Sequence, residues 1–313
     1  MQHAAGWNGG WRHRGSPRDR PVSPDGSVRS TLPRVRGVPW GRAREPADGH
    51  RGLAVGESGP LRGGKSVTYL YTQPLFLQVG DLMFRDCIKG MDRVFQSEIK
   101  PGKTILVTGP PGSLKSSFVH SIMKAYVEKT GEFGLYTTLE QDTSSHLEGI
   151  ESIGLGLSRN LQITDYSEIL MDEYGGNYNY MEFTEMMIEH FKERYGDRFS
   201  IYGFDSLGAL YSMMPQVDNP RRFAFQFFSM LKRFNLTSFV ILESSHTGDP
   251  ITMGNEPFLV DGIFHLGIKR NRGHLTRYFQ VIKMRATKHS MDSFAMKVDD
   301  NGIEILGPLL DTS

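Results

Sequence analysis

The chain has 313 residues, 38% hydrophobic and 23% charged, with a net charge of +1, a composition that fits one ordinary globular domain and an appendage. A single cysteine, Cys87, excludes internal disulfides and suits a reducing cytoplasm, and no apolar run approaches the about 18 residues of a membrane span. Residues 1–65 carry +7, which leaves −6 for the remainder, so the bulk of the chain lacks the basic footprint of a general nucleic-acid-binding surface.

Residues 1–64 contain 13 Gly, 7 Pro, 11 Arg and all three tryptophans, with no Lys, Phe, Tyr or Ile. Such a segment cannot bury enough apolar surface to offset its ordering entropy. It is expected to be a disordered tail or translated sequence upstream of the true start. It has no apolar core of a secretory signal, and its Gly and Pro content argues against a transit helix. The folded domain is expected over residues 65–313. Within it Cys87 reads as a small packed apolar residue.

Residues 103–117 run from an apolar strand through a glycine turn to Lys115-Ser116. This order builds a phosphate-binding loop: the turn aims backbone N–H groups at a phosphate, the lysine reaches the β and γ oxygens, and a hydroxyl holds magnesium. Gly109, Pro110, Pro111, Gly112, Ser113, Leu114, Lys115, Ser116 and Ser117 form the candidate ATP site. The pattern G-x-x-x-x-G-K-[ST] calls for glycine where Leu114 stands, and a side chain there strains a positive φ. An ordinary Gly-rich turn is the alternative.

Phe118, Ile122, Met123, Tyr126 and Val127 then mark one face of a helix that ends at Lys129 and Gly131. A strand over 134–139 follows and leads to Glu140, from where a carboxylate can orient a water for attack on a γ-phosphate. A helix is expected around 144–153, a short strand at 161–164, a loop over 166–180, and a helix over 180–195. The apolar strand 199–204 ends in Asp205, where a carboxylate can hold magnesium through water, or merely cap a turn. Asp218-Asn219-Pro220 starts a helix whose apolar residues spread over more than one face, as in a fully covered core helix or, alternatively, one shared with a neighbouring subunit. Another buried strand spans 238–242.

From about Gly262 the pattern changes to hairpins: strands at 263–268, 278–285, 294–298 and 303–306, with turns at 271–273 and 300–302. Strands alternating with helices and then terminal hairpins predict an α/β fold, a mostly parallel sheet extended by antiparallel strands. Lys283 and Arg285 share one face of a strand, either a solvated face or a pair able to reach a neighbouring subunit's phosphate. His246 and His289 read as satisfied loop residues, and the histidines offer no zinc-ligand spacing.

These segments resemble the KaiC-like branch of the RecA-type ATPases over about Cys87 to Leu306. Ile88-Lys89-Gly90-Met91-Asp92 is similar to that branch's lead-in, Leu135 to Gln141 to a segment that normally ends in two glutamates, and Tyr202 to Leu207 to its Walker B strand. Lys283-Met284-Arg285-Ala286-Thr287-Lys288-His289 is similar to its K-x-R-x-T-x-H. The resemblance implies a RecA-like sheet, ATP and Mg2+ between subunits of a ring or filament, Glu140 as base, and Lys283 and Arg285 acting on the neighbour's ATP. Leu114 and Gln141 depart from the family pattern, and both touch the chemistry. The expected function is an ATP-binding, slowly hydrolysing oligomeric switch acting on a protein partner. A non-hydrolysing nucleotide-sensing module is the alternative. A recombinase-like DNA binder fits poorly, since the expected loops at 208–217 and 244–262 carry no Lys or Arg.

Overall fold

The computed structural model describes residues 55–56, 69–70, 84–166, 180–213, 219–244, 256–271 and 274–309. Outside them lie most of the 1–64 segment, residues 167–179 of the loop expected over 166–180, Asp218, His246, and Arg272 and Gly273 of the expected turn. Val55–Gly56 and Tyr69–Leu70 pair as a two-residue antiparallel ladder.

The strands are β1 (Thr104–Gly109), β2 (Phe133–Thr138), β3 (Leu161–Asp165), β4 (Phe199–Asp205), β5 (Thr237–Glu243), β6 (Gly262–Asn271), β7 (His274–Met284), β8 (Phe294–Asp299) and β9 (Gly302–Pro308). Together they form one sheet in the order β9-β8-β7-β6-β1-β5-β4-β2-β3. Neighbours from β6 to β3 run parallel, and β6 through β9 pair antiparallel. The helices are α1 (Lys115–Thr130), α2 (Thr143–Glu151), α3 (Tyr180–Tyr195), α4 (Leu207–Met213), α5 (Pro220–Arg233) and α6 (Glu256–Leu259). None of the described helices is long and apolar enough to cross a membrane.

A parallel strand covered on both faces needs apolar side chains on both, and β1 is buried at every position. Alternation splits its side chains between two cores. Ile105 and Val107 join Phe118, Ile122 and Val127 of α1 and Ile150 of α2 on one face. Leu106 joins Ile188 and Phe191 of α3 and Phe227 and Leu231 of α5 on the other. The Asn219 side chain accepts from the Arg222 N–H and Pro220 opens α5. Gly131, left-handed at φ 69°, closes α1 with its N–H on the Val127 carbonyl.

Two expectations are corrected. The helix α5 is not covered all round: Phe225 is 58% exposed while Phe223, Phe227 and Phe228 are buried, because its polar and apolar residues alternate at helical spacing. The loop expected from Gly208 folds as α4 through Met213, a segment of seven residues that is too short to show helical periodicity. Cys87 is buried, and burial pushes its thiol up to about 12, so it is inert.

His120 of α1 and His146 of α2 lie in the core with ring centroids 5.6 Å apart. Neither ring nitrogen of His120 has a hydrogen-bond partner. Burial, then the neighbouring imidazole of His146, pulls His120 from 6.5 down to about 3, and burial lowers His146 against the pull of Asp205. Tyr136 and Lys124 are the other ionisable groups facing the pair. Between pH 6.5 and 3 the unfolded chain therefore binds a proton that folded His120 refuses. Stability is highest above the unfolded pKa and falls with pH through this window, by about 1.4 kcal/mol per pH unit for His120, with His146 acting in the same direction. His120→Leu should flatten the decline of the urea midpoint between pH 6.5 and 4. A variant whose midpoint falls in parallel with the wild type would contradict this.

Candidate functional site

The carboxyl ends of β1, β2, β4 and β5 meet at the N-terminus of α1. Gly109 ends β1 at φ 151°, and a Cβ there would stand 2.0 Å from the Leu266 carbonyl oxygen. Only glycine lets β1 and β6 approach this closely while the chain turns. Gly112 and Leu114 are both left-handed, at φ 79° and φ 73°. Leu114 thus takes the path that glycine would take, at a cost of about 1–2 kcal/mol.

Leu114 also occupies the N-cap of α1 and has no side chain to cap it. The first-turn N–H groups at Lys115 to Ser117 have no partner one turn back. They stay available to an anion, favoured further by the dipole of a 16-residue helix. Since the loop already has its glycine-like path, Leu114→Gly should relieve strain without reshaping the site. Unfolding measurements should show it stabilised by up to about 1 kcal/mol, the relief less the added chain entropy of glycine. Turnover should stay within about threefold, and a larger gain would mean that leucine distorts the loop.

Lys115 is 7% exposed. Its Nζ donates to the Pro110 carbonyl at 3.2 Å and stands 3.7 Å from Oε1 of Glu243, at the end of β5. Ser116 Oγ donates to Oδ2 of Asp205 at 2.6 Å. Asp205 ends β4, is 4% exposed, and its Oδ1 is buried without a hydrogen-bond partner. A hydroxyl beside an orphaned carboxylate oxygen is an oxygen donor set that fits magnesium.

Glu140 lies two residues past β2 and accepts from the Ser206 hydroxyl. Burial holds its carboxyl above the usual range. Asp205 and Glu243 add to this, while the Ser206 hydroxyl and Lys115 oppose it. A raised carboxylate is a better base near neutral pH.

The structure therefore gathers residues 109–117, Glu140 and Asp205 at one place. Lys283 and Arg285 are elsewhere. The register of β1, β6 and β7 sets Lys283 level with Leu106 and Arg285 level with Thr104 at the start of β1, about 10 and 16 Å along the strand direction from Gly109 at 3.3 Å per residue. There Lys283 Nζ donates to the Pro257 and Val260 carbonyls, both at 2.8 Å. Arg285 donates to the Phe258 carbonyl at 3.2 Å and pairs with Asp261 at 3.7 Å. Burial, with Arg285 and Lys232 nearby, lowers Lys283 against Asp261.

Three residues at the loop escaped the sequence reading. Glu243 carried the same signal as Asp205, a carboxylate closing an apolar strand. Arg277 of β7, whose Nε donates to the Gly112 carbonyl at 2.9 Å, had none, because only the β6–β7 register brings it there. Tyr136 read as one more apolar-strand residue, yet its hydroxyl donates to Asp205 Oδ2 at 2.7 Å. Among the described residues no group of three or more His, Cys, Asp and Glu could hold a metal by itself.

A family model for the KaiC ATPases matches residues 85–309. The chain is similar to the circadian clock oscillator protein KaiC of a Nostoc species, 24% identical over 231 residues, which are 71% of this chain and 43% of that protein. It thus spans less than half the length of that relative. A UPF0273 protein of Methanopyrus kandleri is 26% identical over 234 residues, 70% of this chain and 89% of the relative. In fold the chain resembles the crystal structure of a KaiC-like protein from Pyrococcus horikoshii, with a TM-score of 0.58 at 21% identity over 70% of this chain and 95% of that one.

Proposed function

The chain belongs to the KaiC family of ATPases, and from that premise we propose that it is an ATP-binding, slowly hydrolysing oligomeric switch. It acts in the cytoplasm on a protein partner, and residues 65–313 form its ATPase unit. The meeting of Ser116 and Asp205 at 2.6 Å, with Asp205 Oδ1 left unpartnered, supports this reading most. It sits beside a helix N-terminus that no side chain caps.

Backbone N–H groups of residues 112–117 would hold the phosphates, and Lys115 would leave Glu243 for the β and γ oxygens. Ser116 and Asp205 would hold magnesium, which when bound offsets phosphate charge. Glu140 would accept the proton of an attacking water. Lys283 and Arg285, turned away from their own loop, would reach the γ-phosphate of an adjacent subunit in a ring or filament.

Calorimetry with ATP and magnesium tests the reading at its base. The wild type should bind with a Kd well below millimolar, because backbone donors supply most of the loop's phosphate contacts and Leu114 removes none of them. Lys115→Ala should lose that binding. A wild type that binds no ATP at millimolar concentration would overturn the proposal.

A further inference from the structure

Asp205 is held through one oxygen. Ser116 on α1 and Tyr136 on β2 both donate to Oδ2, at 2.6 and 2.7 Å. A hydroxyl that donates its proton keeps its lone pairs, so Ser116 can serve a cation while bound to Asp205. Tyr136 gives its one proton to the same oxygen, with the Ser116 hydroxyl beside it.

The ring that carries this hydroxyl is locked from several sides. Tyr136 is fully buried. It stacks on His146 of α2 with centroids 4.6 Å apart and planes at 28°. Across the β2–β4 pairing it lies opposite Gly203. A Cβ on Gly203 would stand 2.7 Å from Tyr136 Cδ2 and 2.6 Å from Met123 Sδ, so the glycine makes room for the ring.

We infer that Tyr136 is a positioning residue of the divalent-cation site: by occupying Oδ2 it turns Asp205 so that Oδ1 is the oxygen offered to the cation or its bound water. The inference rests on the ATP and magnesium reading above. A phenol in place of phenylalanine at this position fixes the carboxylate even when Ser116 is drawn toward a cation. Groups that orient a metal-binding carboxylate in this way typically change metal affinity by about 10- to 100-fold.

The test uses the full chain with Mn2+ as a spin-visible probe, a non-hydrolysable ATP analogue, and calorimetry of the analogue without metal. Tyr136→Phe should weaken Mn2+ binding about 10-fold while metal-free nucleotide affinity stays within about twofold. In an Asp205→Asn background the same substitution should change nothing further, since the carboxylate it orients is gone. Gly203→Ala keeps the hydroxyl but displaces the ring, and should weaken Mn2+ in the same direction; it decides the matter if Tyr136→Phe does not fold. Unchanged Mn2+ affinity in a folded Tyr136→Phe that binds nucleotide overturns the inference alone. So does an equal loss in the Asp205→Asn background. A wild type without nucleotide-dependent Mn2+ binding overturns the ATP reading and this inference with it.

Discussion

Arg285→Ala should keep ATP bound and slow hydrolysis by about 10³-fold or more, the range that a guanidinium reaching a γ-phosphate from outside supplies. Binding is spared because Arg285 is set beside the start of β1, at the opposite end of that strand from the loop, where its contacts are the Phe258 carbonyl and Asp261. Those partners are one carbonyl and a carboxylate 3.7 Å away, and the side chain is half exposed, so little holds the guanidinium in place when a phosphate is presented. Single-turnover hydrolysis and calorimetry on the same preparation measure the two effects separately. Mixing Arg285→Ala with Lys115→Ala subunits gives the sharper result. Neither variant has a complete site, yet in a head-to-tail assembly on the order of a quarter of random interfaces would pair an intact loop with an intact arginine. Activity should therefore return on mixing. A co-assembled mixture as inactive as its components would leave Arg285 with only its own-chain contacts to the Phe258 carbonyl and Asp261.

Glu140→Gln should bind ATP within a few-fold of wild type and lose about 10²- to 10⁴-fold in turnover, because the amide keeps the shape and loses the basicity. The wild-type pH profile carries a second mark. A base works only when ionised, and the Glu140 carboxyl is held above its ordinary 4.5, first by burial and then by Asp205 and Glu243. Turnover should thus fall with acid at a higher pH than an unperturbed glutamate would give, and the glutamine variant should lack that limb. If Glu140→Gln hydrolyses normally, Glu243 is the next carboxylate to examine, since it already lies near Lys115. A chain that binds ATP yet shows no turnover even in the wild type would favour the non-hydrolysing sensing module.

Much of this was legible in one dimension because local chemistry enforces it. The Gly109-to-Ser116 order, the cap at Asn219-Pro220, the stop at Gly131 and the carboxylates that end apolar strands are each set by neighbours close in sequence. The helix α3 was readable to its bounds from its apolar spacing. What escaped depends on pairing across the sheet. Tyr136 reaches Asp205 only because β2 and β4 lie side by side, and Arg277 reaches Gly112 only because β7 folds back on β6. Phe225 looked like core because a run of phenylalanines hides which one points outward. The helix α4 was missed for its length alone.

Arg277 and Arg285 have a consequence when taken as two ends of one object. The strand β7 pairs with β6 along its length, with one register shift opposite Ile263 and Phe264. One end holds the carbonyl of Gly112 through Arg277, and the other runs into Arg285 beside Asp261. Eight residues of extended chain span about 26 Å, and a paired strand neither stretches nor folds to absorb a push. It is a ruler with a mark at each end. The distance between the backbone positions of the two arginines is therefore set by the strand itself, while their side chains, one on the Gly112 carbonyl and one beside Asp261, can move at either end of it.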